Sequence, residues 1–132
     1  MFELMSIENN EMTRVVKLKN ITNGTIEECF DDSAVVSNEN FEFMEIGHNC
    51  ECKIKLFGKA MKVPNAESVL CTIIDENAVI GNKSMVKVAI ENDEYYIPYK
   101  KVVDFICGDK FYFNFTRKDL VQVNDVVHAD ML

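Results

Sequence analysis

The sequence predicts an all-β fold, with room for one short helix, built as a small antiparallel β-barrel of about six or more strands. Three observations lead there. In residues 48–56, His48, Cys50, Cys52, Ile54 and Leu56 share one parity, while Asn49, Glu51, Lys53 and Lys55 take the other. That two-residue rhythm is the mark of a strand with one buried and one wet face. Residues 83–91 repeat it, with Ser84, Val86, Val88 and Ile90 opposite Lys83, Met85, Lys87 and Ala89. Turn signals recur roughly every 8–12 residues, the spacing of sandwiches and barrels. No stretch carries the longer helical period that alternating α/β units require.

Taken in order, residues 1–13 fit a short strand or a helical turn equally well. Arg14–Lys19 reads as a strand, and Asn23-Gly24 as a tight turn in which both residues tolerate positive φ. Thr25–Phe30 is the next strand, ending at Asp31-Asp32-Ser33, with Ala34–Ser37 as its expected return. Phe41–Ile46 is expected to be a strand with apolar residues on both sides, and Gly47 leads into the alternating stretch that Gly58 ends.

Val69–Ile74 is a nearly continuous apolar run, short enough to be a buried strand, and Asp75-Glu76-Asn77 should turn. After the 83–91 strand, Asn92-Asp93 makes a hairpin to Glu94–Tyr99, whose Pro98 belongs at an edge or a strand end because it cannot donate to a ladder. Residues 100–107 suit a two-turn helix or a buried strand. Phe111, Phe113 and Phe115 alternate along an aromatic strand, expected to face the core. Val121–Val123 and Val126–His128 flank a last hairpin.

The 132 residues suit one domain, with about 15–107 as barrel core and 108–132 as a C-terminal strand extension. Twenty-two acids against fourteen bases give a formal charge of −8. Between Lys19 and Lys53 there is no base, while Glu27, Glu28, Asp31, Asp32, Glu39, Glu42, Glu45 and Glu51 crowd in. Such a surface repels phosphate backbones and anionic membranes, so direct nucleic-acid or membrane binding is not expected. No 18-residue apolar run exists, and no basic segment precedes an apolar core at the N-terminus. A cytoplasmic chain with five reduced cysteines is the corresponding expectation.

Chemistry-bearing patterns are sparse. The sequence has no phosphate-binding glycine loop, dinucleotide fingerprint or HExxH pair, and no catalytic residue or cofactor is expected. His48, Cys50 and Cys52 offer three zinc-type ligands on one strand face, without CxxC spacing or a fourth partner. Two small thiols filling the core is the favoured account of that face. Tyr95, Tyr96 and Tyr99 around Pro98 are candidate anchors for a partner, as edge aromatics often are. With Glu27, Glu28, Asp31 and Asp32 they make a candidate docking face for a basic protein, since complementary charge speeds encounter and selects partners.

From Gly24 to Ile90 the order of features also resembles a PilZ-type domain. A glycine opens a short strand, Asp31-Asp32-Ser33 forms an acidic turn, and Gly47 leads into a long alternating strand. VLCTII and KSMVKVAI follow. The resemblance implies a six-stranded antiparallel barrel that senses cyclic dinucleotides, with Arg14, Lys17, Asp31 and Ser33 as the transferable contacts. Val36 stands where that family's turn has glycine, and Leu18 where its second arginine belongs. Arginine forks are what hold two phosphates, so the resemblance implies weakened or lost ligand binding.

Overall fold

Ten strands carry this chain, and the last long one holds the others together. A computed structural model describes residues 1–132. The strands are β1 (Phe2–Asn10), β2 (Thr13–Asn20), β3 (Ile26–Asp31), β4 (Asn49–Cys50), β5 (Cys52–Met61), β6 (Val69–Ile80), β7 (Lys83–Ile90), β8 (Asp93–Pro98), β9 (Lys110–Val123) and β10 (Val126–Val127). Short helices α1 (Ser33–Val36) and α2 (Tyr99–Val102) interrupt them, and 3-10 turns span Val103–Phe105 and Ala129–Met131. The mostly-β expectation holds.

The strands form one sheet in the order β4-β1-β2-β3-β9-β5-β8-β7-β6, and β6 pairs back onto β9. The pairings β9-β5-β8-β7-β6 therefore return to their start. A layer of β1, β2 and β3 joins this circuit through β9. Most ladders are antiparallel, but β5 meets β8 in a parallel bridge, Lys55 to Tyr96, and β3 meets β9 in another, Phe30 to Asp119. A purely antiparallel arrangement is thus corrected. Segment 108–132, expected as an extension of the core, supplies β9, which pairs with β3, β5, β6 and β10.

The two-residue rhythm survives in β5 and β7. Cys50, Ile54 and Leu56 are buried with Val86 and Val88 in a single apolar cluster that also holds Leu4, Val16, Leu18, Phe41, Phe111 and Phe113. His48 breaks the pattern, because it precedes the strand and faces solvent. Met85, on the opposite parity, is buried too. It joins Ala78, Ile80, Val121 and Met131 in a second cluster beneath the Ala129–Met131 turn.

Several boundaries differ from the sequence expectation for identifiable reasons. Gly58 does not end β5; the strand runs on to Met61. A Cβ at Gly58 would lie 2.1 Å from the Asn114 carbonyl oxygen, so the glycine lets β9 cross at a register shift between Phe57 and Gly58. The Asp75-Glu76-Asn77 turn is absorbed into one long β6 through irregularities at Ile73/Asp75 and Asp75/Ala78. Residues 34–36 belong to α1, and Ser37 leaves it in extended conformation toward a bend at 38–40, rather than forming a returning strand. Residues 41–46 are loop, since Phe41 and Met44 are drawn into the core while their neighbours stay out. The ambiguous 100–107 stretch is helical turn as far as Phe105, after which Ile106 is extended and Cys107 makes an isolated bridge to Lys110.

Candidate interaction face

The 33–48 segment is an irregular loop held at fixed points, and its geometry follows from a few side chains. Arg14 of β2 lies across from Asp31 of β3 in the antiparallel ladder. Its Nε donates to Asp31 Oδ2 at 2.6 Å, and its Nη2 donates to the Phe41 carbonyl. Asp31 Oδ1 accepts the Ser33 amide at 2.9 Å, and Ser33 Oγ accepts the Phe41 amide at 3.1 Å. Asp31 and Ser33 are buried, and a buried charge of this kind persists only when paired and hydrogen-bonded. Phe41 is thereby fixed in the core beside the His128 ring, 6.2 Å between centroids.

Two further ties hold the loop. Gly47 donates to the Leu4 carbonyl at 2.8 Å, and Leu4 donates to the His48 carbonyl at 3.1 Å, so the loop exits along β1. At the other end Asp32 Oδ1 lies 2.6 Å from His128 Nε2. His128 Nδ1 accepts the Asp130 amide at 3.0 Å, which leaves the ring proton on Nε2, facing Asp32. Asp32, His128 and Asp130 do place ligand-type atoms within 4.8 Å of one another. With one ring nitrogen accepting from backbone and the other donating to carboxylate, the imidazole acts as a cap joining loop and C-terminal turn.

What the loop presents outward is a mixture of acids and apolar groups. Glu39, Glu42 and Glu45 are exposed, as are Val35, Val36, Phe43 at 48% and Ile46 at 59%. Between the loop and the β9–β10 hairpin runs a groove of about 530 Å³. Phe43, Val126, Val127 and Leu132 supply its apolar lining, Asn38 and Asn40 its amides, and Glu39 and Asp125 its charges. No cation lines it.

No family model matches the chain, and neither a curated protein nor a solved structure matches it.

Of the residues singled out from sequence, Arg14, Asp31 and Ser33 converge, but each is engaged by another or by the Phe41 backbone. Lys17 is exposed on the other parity of β2, opposite Val16 and Leu18. Glu27, Asp31 and Tyr95 are buried, so as docking residues they are corrected: a partner cannot reach them in this fold. Tyr95 and Lys118 both donate to Glu27 Oε1, at 2.9 and 2.7 Å. Glu28 remains exposed and Asp32 half-buried, as are Tyr96 and Tyr99. Tyr96 has Lys53 and Lys87 over its ring, 5.7 and 5.9 Å from the centroid.

His48, Cys50 and Cys52 do not converge as a set. Cys50 and Cys52 approach each other, while His48 turns to Glu45 at 3.2 Å. Sequence reasoning missed Phe43, Asp125, Val126 and Val127 as surface features. The one signal available was that apolar residues in 41–46 fall on both parities, a pattern that fits a fully buried strand as readily as a loop with two residues turned out.

Proposed function

We propose that the chain is a non-enzymatic β-barrel interaction module that docks a basic protein partner, in the cytoplasm, through the acidic face around residues 33–48. The circuit of strands β9-β5-β8-β7-β6 is the barrel in this reading, with the N-terminal layer and the loop set against it. The groove is the observation that carries the reading: an apolar lining of Phe43, Val126, Val127 and Leu132, with Glu39 and Asp125 and no cation. Apolar contact would supply affinity there, while the carboxylates select for lysine and arginine and speed association. A basic amphipathic segment meets both demands.

Fluorescence anisotropy with a labelled lysine- and leucine-rich amphipathic peptide, against its glutamate-substituted counterpart, tests this. The basic probe should bind, weaken as salt rises, and lose at least tenfold in affinity to the Glu39→Lys/Asp125→Lys variant. Equal binding of both probes, or no effect of the two reversals, would overturn it.

A second reading, cyclic-dinucleotide sensing of PilZ type, draws on the convergence of Arg14, Asp31 and Ser33 beside a cleft of about 390 Å³. Arg14 is already committed to Asp31 and Phe41, and Glu11 and Glu42 line the same cleft. A calorimetric titration with a cyclic dinucleotide decides it, and a flat trace rejects it.

A further inference from the structure

Cys50 and Cys52 lie outside the acidic groove, at the place where the chain changes partners. Cys50 closes β4 against Phe2 of β1, and Cys52 opens β5 against Val123 of β9, with Glu51 alone between them. Two residues apart in extended chain, they project to the same side, and their sulfur atoms stand 3.4 Å apart. No third thiol, imidazole or carboxylate closes a ligand set around them; the cluster with that property is Asp32, His128 and Asp130. Two thiols in contact without a third ligand have the makings of a redox pair rather than a zinc site.

Access is present on both sides of Glu51. Cys50 borders a cleft of about 150 Å³ with Leu4, Phe43 and Asn124, and Cys52 borders the larger cleft of about 460 Å³ with Phe2 and Lys53. Cys50 is itself buried but keeps 8% of its surface, and Cys52 is half-buried; Cys29 and Cys71 keep none, and Cys107 is exposed and outside the pair. A disulfide bond is about 2.05 Å long, so the two sulfurs, 3.4 Å apart, need to close by little more than an ångström, with the backbone adjusting at Glu51, which belongs to neither β4 nor β5.

We propose that Cys50 and Cys52 form a dithiol–disulfide couple that exchanges two electrons with a low-molecular-weight disulfide of the glutathione type. The Cys50 thiolate attacks one sulfur of that disulfide, a mixed disulfide forms, and one glutathione thiolate leaves and takes up a proton. Cys52 then gives up its proton and attacks the Cys50 sulfur. The bond to glutathione breaks, and the second glutathione leaves as its thiol. Two protein thiols are oxidised and one small disulfide is reduced to two thiols. Cys50 is assigned the first attack with the Cys52 thiol as donor in the sulfur–sulfur contact, an arrangement that holds Cys50 below the ordinary thiol value and Cys52 above it.

The test uses the full chain carrying Cys107→Ser, which removes the exposed thiol able to link two molecules, with the unsubstituted chain in parallel. Each is equilibrated in mixtures of reduced and oxidised glutathione, acid-quenched, alkylated in denaturant, and read by intact mass and fragment ions across residues 50–52. As the mixture becomes oxidising, two alkylation sites should disappear together, both within 50–52, while Cys29 and Cys71 still react. Cys52→Ala should instead accumulate a glutathione adduct at Cys50. The proposal is overturned if Cys50 and Cys52 stay alkylatable at every ratio, if each carries its own adduct, or if either pairs with Cys29 or Cys71.

Discussion

Tyr95 donates its hydroxyl to Glu27 Oε1 at 2.9 Å, linking β8 of the strand circuit to β3 of the N-terminal layer across 68 positions of sequence. Lys118 of β9 reaches the same oxygen at 2.7 Å, and Glu27 is 2% exposed. Three strands therefore share one buried charge. Tyr95→Phe should cost about 1.5–3 kcal/mol, the range for a hydrogen bond to a charged group. Glu27→Ala should cost roughly 3–5 kcal/mol, toward the lower end because the Lys118 side chain keeps 20% of its surface in water. Urea unfolding of both variants checks the order.

Arg14 and Asp31 make the second prediction. Removing either partner leaves the other nearly dry and unpaired, so Arg14→Leu or Asp31→Leu should each destabilise by about 3–5 kcal/mol, and the double variant by less than their sum. Because the same pair positions Phe41, limited proteolysis should cut the 33–48 loop faster in both single variants. Unchanged cleavage would mean that the loop is held by its other ties.

Alkaline stability follows from the groups whose ionisation the fold resists. Burial pushes Cys71 up to about 12, and it raises Cys29 as well. Burial first, then the hydrogen bond to Glu27, raises Tyr95. Each folded value lies above the ordinary one, 9.0 for the thiols and 10.0 for the phenol. The folded state therefore holds these protons more tightly than the unfolded chain. Their contribution is complete below about pH 9 and declines as pH rises, by up to about 1.4 kcal/mol per pH unit for each group ionised only when unfolded. Urea midpoints should be flat with respect to these groups up to that point and fall beyond it. Tyr95→Phe should lessen the fall above about pH 10.

Gly58→Ala tests the crossing of β5 and β9. A methyl group 2.1 Å from the Asn114 oxygen has to displace backbone, and overpacking of this kind costs roughly 1–3 kcal/mol or more. Thermal unfolding measures it. A variant as stable as the parent would show that the register shift at Phe57/Gly58 absorbs the added volume.

Much of the strand pattern was legible because a half-buried strand writes its two faces into the sequence. Cys50, Ile54, Leu56, Val86 and Val88 point inward as their parity requires. Where a residue is buried by an irregular segment, parity says nothing. Phe41 and Met44 enter the core from a loop, and Met85 is covered on the outer face by a 3-10 turn from the far end of the chain. An acidic cluster such as Glu27, Glu28, Asp31 and Asp32 predicts a wet docking face, because charged residues ordinarily stay in water. Glu27 and Asp31 depart from that because Lys118 with Tyr95, and Arg14, come to them from other strands. Such pairings arise from topology, which neither spacing nor composition records.

β9 gives the fold a fixed order of completion. Its partners β3, β5 and β6 all precede it in the chain, and the circuit has no closing strand until residues 110–123 are in place. On a ribosome, an emerging chain would expose unpaired backbone along β5 and β6 until residues 110–123 had cleared the exit tunnel. Productive folding should accordingly wait for β9 and be slow, as pairings between distant segments impose. Stop codons or cleavage upstream of residue 110 should yield material that aggregates rather than a smaller folded unit.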